Sequence, residues 1–391
     1  MNSIHAPLLH AQLIPWRLGR FLLVLFVPVP VLMTGCASPP DRAAPSEYTH
    51  TSLERLATQH RVCGVALAII KNRKLHSVDA ASGCEPPRAV GSDSVFQAAS
   101  LSKPVFAYAV LNLVELGKLE LDAPVVKYLP HGYRHAFNPL EAEASSKTDW
   151  VTDPRIHEVT VRMVLNHTSG LPNWASGPLR FESAPGERWE YSGEGYVLLQ
   201  RAVEAVTGQP LDQFMRTEVF LPLHMDHSDY TSSARIASRV LPGTKANGAP
   251  RTTLELMKPV AAFSLYTTAE DYGRFLVAVL NDEGLLRKIT ASPVAVDPSL
   301  NLSWGLGWGI ERTPDDVHLW HWGNNTGYRA FVIVSVRTGD GLVMLTNGEG
   351  GLRLAEPLTE EVLHGAHKLF QSPILGGGII DFLCETLRLC F

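Results

Sequence analysis

Apolar and polar positions divide the chain into three stretches. At the front, Leu53, Leu56 and Ala57 recur at helical spacing and predict an amphipathic helix over 48–60. The unbroken apolar run 65–70 reads as a buried strand, Lys71-Asn72-Arg73-Lys74 as a polar turn, and 75–81 as the return strand of a hairpin. An apolar helix over 100–116 follows and stops at Gly117. In the middle, strand signals fade and short helices take over at 161–166, 196–206 and 211–219. Thr268-Ala269-Glu270-Asp271 is a cap-like start for a helix running to Leu280. At the back, strand-like runs at 303–311, 317–321, 329–336 and 341–346 lead to an amphipathic helix at 360–370. The pattern predicts one sheet assembled from both ends of the chain, with helices between. The sheet lobe takes 48–121 and 256–370, and the helical lobe takes 122–255.

The N-terminus carries Arg17 and Arg20 and no acid before Asp41, and an apolar run over 21–33 follows, broken by Pro28 and Pro30. That run is shorter than the ~20 residues a membrane span needs, so residues 1–35 read as an export leader. It closes on Met33-Thr34-Gly35-Cys36, which resembles a bacterial lipobox and implies a lipid on Cys36. Residues 36–47 then form a polar, Pro-rich tether. Ala37 after the cysteine is similar to the sorting signal of Gram-negative outer-membrane lipoproteins, so a lipid anchor in the cell envelope is expected, on the periplasmic face of the outer membrane if the source is Gram-negative. Beyond 48–370, the tail 371–391 holds Gly376-Gly377-Gly378 and an apolar end, read as a docking or membrane-touching segment without chemistry.

Composition adds exclusions. With 45% hydrophobic and 19% charged residues among 391, the chain is neither disordered nor a polytopic membrane protein. A net charge of −5 without a basic tract argues against a nucleic-acid partner. Losing Arg17 and Arg20 with the leader makes the chain two charges more negative. Five cysteines is an odd count, resolved if Cys36 is lipidated. Folding the first hairpin brings Cys63 nearly opposite Cys84, and a disulfide is expected there in an oxidising compartment. Cys384 and Cys390 fall on different faces of a helix, and no bond is expected between them.

Three motifs carry chemistry. In Ser100-Leu101-Ser102-Lys103, a serine at a helix start meets unpaired N–H groups, and Lys103 lies three residues on along nearly the same face. A desolvated lysine there loses basicity and can take the serine proton. Tyr191-Ser192-Gly193 precedes the next strong helix, and a tyrosine held near a lysine can turn phenolate-like and act as a base. His321-Trp322-Gly323-Asn324 ends a strand-like run, where a glycine permits close backbone approach to a ligand. Each motif alone is weak, because a capping serine, a packed tyrosine and a turn histidine are all ordinary.

Together and in this order they resemble the serine β-lactamase/penicillin-binding-protein superfamily. The branch they are most similar to is the class C β-lactamase-like one, which includes family VIII esterases and D-aminopeptidases. Phe96-Gln97-Ala98-Ala99 before Ser100, Gly117 to Pro124, Leu165-Asn166-His167-Thr168-Ser169-Gly170-Leu171-Pro172 and Trp304-Gly305-Leu306-Gly307-Trp308-Gly309 are also similar to that branch. The resemblance implies an α+β fold, an α/β sandwich with an antiparallel sheet flanked by helices plus a helical lobe. It implies that Ser100 is acylated, that Lys103 and Tyr191 share the proton transfers, and that the backbone N–H groups of Ser100 and Asn324 form an oxyanion hole placed by Gly323. His321 would contact substrate, and His167 would be scaffold.

Two departures bear on substrate. Gly193 stands where many relatives carry Asn, and His321 where β-lactamases usually carry Lys. Losing the amide donor and the fixed cation points away from an efficient β-lactamase and toward small esters or amides, with β-lactams turned over slowly. The competing readings are a D-alanyl or D-amino-acid peptidase on peptidoglycan fragments, and a non-catalytic module binding β-lactams or wall fragments. Trp174, Trp189 and Trp322 would suit an apolar or aromatic acyl group. Among fifteen histidines, the pairs His131/His135, His224/His227 and His318/His321 show no carboxylate partner in a recognisable motif, so neither a catalytic metal nor any cofactor is expected.

Overall fold

The strands that read as unbroken apolar runs are covered on both faces. In β1 (Val65–Lys71), Ala66, Ala68 and Ile70 pack into one core, while Val65, Leu67 and Ile69 pack into a second. Side chains alternate across a strand, so a sheet with helices on both sides needs apolar residues at every position. The computed structural model describes residues 48–87, 89–141 and 145–375, and these described residues fall in one compact unit. The leader, the tether with Cys36, and the tail with Cys384 and Cys390 lie outside the described residues.

The helix α1 (His50–Gln59) is capped by Thr49 and buries Leu53, Leu56 and Ala57 on the sheet. The hairpin of β1 and β2 (Lys74–Ala81) follows, then β3 (Phe96–Ala99) and α2 (Ser102–Glu115). The insert holds a small hairpin, β4 (Arg134–Ala136) with β5 (Thr148–Trp150), then α3 (Val161–Leu165), α4 (Gly193–Thr207) and α5 (Leu211–Met215). The chain returns through β6 (Leu265–Thr267), α6 (Ala269–Asn281) and α7 (Glu283–Thr290). It then adds β7 (Val294–Asp297), β8 (Leu302–Trp304), β9 (Gly309–Arg312), β10 (Val317–Asn325), β11 (Tyr328–Ser335) and β12 (Gly341–Thr346), and ends in α8 (Ala355–Val362).

Eight strands form one antiparallel sheet in the order β2-β1-β12-β11-β10-β9-β8-β7. Val65 pairs with Thr346, so an early and a late strand lie side by side in the sheet, one strand in from its β2 edge. Helices α1 and α8 cover one face, and α2 and α6 the other. A second two-stranded pairing, β3 with β6, carries the chain into the cleft. Cys63 and Cys84 are joined by a disulfide with Cα atoms 4.7 Å apart, closing the base of the first hairpin. No helix among the described residues is long and apolar enough to cross a membrane.

Several boundaries differ from expectation. The closing helix sits earlier, at Ala355–Val362, where Leu363 turns extended, and after Gly365 at φ +130° only the short turns Lys368–Gln371 and Pro373–Leu375 follow. The run 303–311 is two short strands, β8 and β9, folded back across the 305–308 loop. Strand β10 does not stop at His321 but continues through Asn325. Helix α2 begins at Ser102, so Ser100 sits in the turn before it rather than inside it, and Ala99 ahead of it takes φ +51°.

Candidate active site

The turn carrying Ser100 is pinned from three sides. The Tyr230 hydroxyl donates to Ser102 O at 2.8 Å, the Tyr272 hydroxyl to Leu101 O at 3.1 Å, and the Leu265 N–H to Ser102 Oγ at 3.0 Å. Strand β6 and helix α6 thus hold the start of α2, and a non-glycine residue in the left-handed region is retained at Ala99. One turn on, Lys103 is 1% exposed, and its Nζ lies 3.2 Å from Ser100 Oγ and donates to Ala262 O at 2.8 Å. Nζ also sits 4.6 Å from the centre of the Tyr191 ring. Burial pulls the Lys103 amine down to about 7. Near neutrality a large fraction is therefore uncharged and able to accept a proton.

Tyr191 precedes α4, whose cap Ser192 accepts from Gly195 N–H at 2.9 Å and donates to Pro172 O at 2.9 Å. Burial pushes the Tyr191 phenol well above its ordinary value, with Ser100 the one neighbour acting the other way. Burial therefore favours a neutral phenol at Tyr191 over a phenolate, while the same burial keeps the Lys103 amine beside Ser100 Oγ partly uncharged.

Strand β10 supplies the opposite wall. Strand β9 pairs with it only from Val317 to Trp320, so the stretch beyond has no strand on that side. A Cβ on Gly323 would stand 2.4 Å from Ala98 O and 3.1 Å from Ala99 Cβ. Only glycine lets β10 lie this close to β3, which brings Asn324 into the cavity that Ser100 lines. Asn325 Nδ2 donates to Gln97 Oε1 at 2.8 Å and locks the two strands at that register. Each oxyanion donor is worth about 10²–10³ in rate in hydrolases with this kind of hole.

The cavity has a volume of about 630 Å³ and is lined by Ser100, Tyr191, Asn324, Trp174, Phe263 and Trp322, among others. Among the lining residues the one charged side chain is Glu194, and there is no cation.

With this geometry in view, the comparisons with known proteins decide the family. The sequence profile described as Beta-lactamase matches residues 50–367. The chain belongs to the Beta-lactamase family. Penicillin-binding protein 4* of Bacillus subtilis is 25% identical over 364 residues, covering 81% of this chain and 75% of that protein. Esterase EstB of Burkholderia gladioli is 28% identical over 332 residues, covering 67% and 80%. Among solved structures, a D-stereospecific amidohydrolase from Streptomyces sp. has a TM-score of 0.63 at 20% identity, covering 82% of this chain and 100% of that one. The D-amino acid amidase from Ochrobactrum anthropi has a TM-score of 0.63 at 22% identity, covering 79% and 95%. These structures share the β-lactamase/transpeptidase-like fold, and the chain is a serine hydrolase of the β-lactamase/penicillin-binding-protein superfamily.

In this Beta-lactamase-family site the structure brings Ser100, Lys103, Tyr191, Gly323 and Asn324 together. It does not place His321 as a substrate contact. His321 is fully buried behind Tyr191, with ring centres 6.2 Å apart, its Nδ1 lies 2.8 Å from Trp322 O, and it does not line the cavity. Burial, with Lys103 nearby, pulls its imidazole down to about 3, so it supplies no cation in place of the missing lysine. Trp174 and Trp322 line the cavity, but Trp189 packs against Trp304 with ring centres 5.6 Å apart and lies outside it.

Three contributors had no signal in their own residue types. Ala262 offers only a carbonyl. Asn173 takes the space beside Gly193, where a Cβ would stand 2.7 Å from Asn173 O and from the Trp174 ring. Its Oδ1 accepts from Gly193 N–H at 3.1 Å, which leaves its Nδ2 as an amide donor at the cavity wall. Glu194 accepts from Ala175 N–H at 2.9 Å and lies 3.3 Å from His135 Nε2. Burial opposes protonation of His135, but Glu194 and Asp149 outweigh it and raise the imidazole above its usual value.

Proposed function

We propose that this chain is an exported serine hydrolase, anchored to the cell envelope by a lipid on Cys36, that acts on small esters or amides through an acyl-enzyme on Ser100. The observation that carries the reading is the buried Lys103 amine, 3.2 Å from Ser100 Oγ and lowered to about 7. Neutral Lys103 takes the Ser100 proton as Oγ attacks the substrate carbonyl. The resulting oxyanion is held by the Ser100 and Asn324 N–H groups. When the intermediate collapses, the leaving alcohol or amine takes its proton from Lys103, with the Tyr191 hydroxyl as relay. Water then attacks the acyl-enzyme, with Lys103 again the base, and Ser100 is regenerated.

The aromatic walls of Trp174, Phe263 and Trp322 suit an apolar acyl group, and a cavity without a cation does not favour substrates that carry a carboxylate. Both features support esters and neutral amides over β-lactams. The relationship to an esterase and to penicillin-binding proteins is compatible with either direction. A second reading, hydrolysis of D-amino-acid amides or peptides with a free amine, is favoured by the Glu194 carboxylate at the wall. The lead reading is tested by incubating the protein and its Ser100→Ala variant with a fluorophosphonate probe, p-nitrophenyl butyrate, nitrocefin and a D-Ala-D-Ala peptide. Serine-dependent labelling with ester turnover well above nitrocefin turnover is expected. Absence of serine-dependent labelling and turnover would leave only a binding module.

A further inference from the structure

At the end of β10 remote from Asn324, three residues from separate segments converge. Glu311 in β9 and His318 in β10 are direct cross-strand partners, and His367 arrives from the loop after α8. They are 1%, 5% and 9% exposed. His367 Nδ1 lies 2.7 Å from Glu311 Oε2, Leu369 N–H donates to Glu311 Oε1 at 3.0 Å, and the two imidazole rings stand nearly perpendicular with centres 4.8 Å apart. One donor atom from each of the three falls within 4.8 Å of the others, the one such group among the described residues.

Hydrogen bonds satisfy both Glu311 oxygens and His367 Nδ1 but leave one nitrogen on each imidazole. His318 Nδ1 and His367 Nε2 are both buried without a partner. An unpaired buried polar atom costs about 1–3 kcal/mol. Two imidazoles and a carboxylate are, however, a donor set that zinc uses. A tetrahedral ion with bonds of about 2.0–2.1 Å holds its ligand atoms roughly 3.3 Å apart, so donor atoms that lie within 4.8 Å of one another would draw together by up to about 1.5 Å around it. Asp316, 8% exposed at its side chain, places Oδ2 3.8 Å from His318 Nε2, with exposed Arg337 on its outer side. Glu311 and Asp316 together supply two negative charges against a divalent ion, which lowers the cost of burying it. A surface depression of about 370 Å³ is lined by Asp316 and Val317, next to His318 in the chain.

We propose that Glu311, His318 and His367 hold a divalent transition metal, zinc by preference, that fastens the C-terminal segment onto the β9–β10 edge. The ion is structural. Six residues of strand, roughly 20 Å, separate His318 from Asn324, so the site stands or falls independently of the Ser100 reading.

The test uses untagged, EDTA-treated protein titrated with Zn²⁺, and with Co²⁺ for its visible spectrum. One ion per chain, a thermal midpoint raised by several degrees and a tetrahedral Co²⁺ spectrum are expected. His318→Asn and His367→Asn should each weaken binding at least ~10-fold and cancel the thermal shift, while His131→Asn at an exposed position changes neither. Should a histidine variant fold poorly by circular dichroism, Glu311→Gln keeps the side-chain volume and gives the same reading. Weak binding at several sites per chain, unchanged in these folded variants, would overturn the proposal.

Discussion

The imidazole of His167 lies over the phenol of Tyr191, with ring centres 4.3 Å apart and planes 34° from parallel. Its Nδ1 accepts from Ser192 N–H at 3.0 Å, and its backbone takes φ +59°. Burial first, then Lys103 and His321, hold it well below the ordinary histidine range, so it is an uncharged plate fixing Tyr191 over Ser100. His167→Asn tolerates the left-handed backbone but removes the plate. The kcat on an ester should fall about 10- to 100-fold, as misplacing a catalytic group by an ångström does, with KM changed little. An unchanged kcat would make His167 a packing residue only.

Lys103 sets a pH dependence whose sign is defined. The amine must be neutral to accept a proton, so kcat/KM should rise with pH through a midpoint near 7. Tyr191 stays protonated across that range, and no second limb from it is expected below pH 10. The same burial costs stability. The penalty is complete below about 7 and is relieved between about 7 and 10.5, where the unfolded chain binds the extra proton. Lys103→Met should therefore unfold at a higher temperature than the parent, with the gap wider at pH 6.5 than at pH 9. Equal gaps at the two pH values would show that Lys103 is not the depressed group.

Gly323 is a positional requirement. A Cβ there would stand 2.4 Å from Ala98 O, so Gly323→Ala must push β10 away from β3 and carry the Asn324 N–H with it. Loss of one oxyanion donor predicts a fall in kcat of about 10²–10³. Fluorophosphonate labelling should slow in parallel, while unfolding temperature moves much less than activity. Retained activity would place the oxyanion elsewhere.

How far the molecule was legible in its sequence depended on how local the cause was. The hairpin of 65–81, the strand at 341–346 and the Ser100/Lys103 spacing follow from nearest-neighbour patterning, and the structure places them close to expectation. Boundaries set by tertiary packing were not readable. Strand β10 runs on past His321 because β11 continues to pair with it through Asn325, and α8 stops early on the way to Gly365. His321 reads as a cleft residue by its place in the motif. Only the strand's pleat, packed against Trp304 and Tyr191, reveals that it faces inward. The grouping of Glu311, His318 and His367 depends on a cross-strand register and a returning loop 49 residues beyond His318, which no local spacing encodes.

Glu194 offers the sharpest way to separate the two substrate readings. Its carboxylate is the one charged side chain lining the cavity, steadied by Ala175 N–H and by His135. A substrate ammonium placed against it would gain a hydrogen bond to a charged group, about 1.5–3 kcal/mol. Glu194→Gln keeps the acceptor for Ala175 and removes only the charge. If the natural substrate bears a free amine, kcat/KM for a D-amino-acid amide should drop at least ~10-fold, while the N-acetylated amide and p-nitrophenyl butyrate are unaffected. If all three fall together, Glu194 acts through His135 and the β4–β5 hairpin as a structural anchor. In that case the cavity is an ester site, and its selectivity lies in Trp174, Phe263 and Trp322.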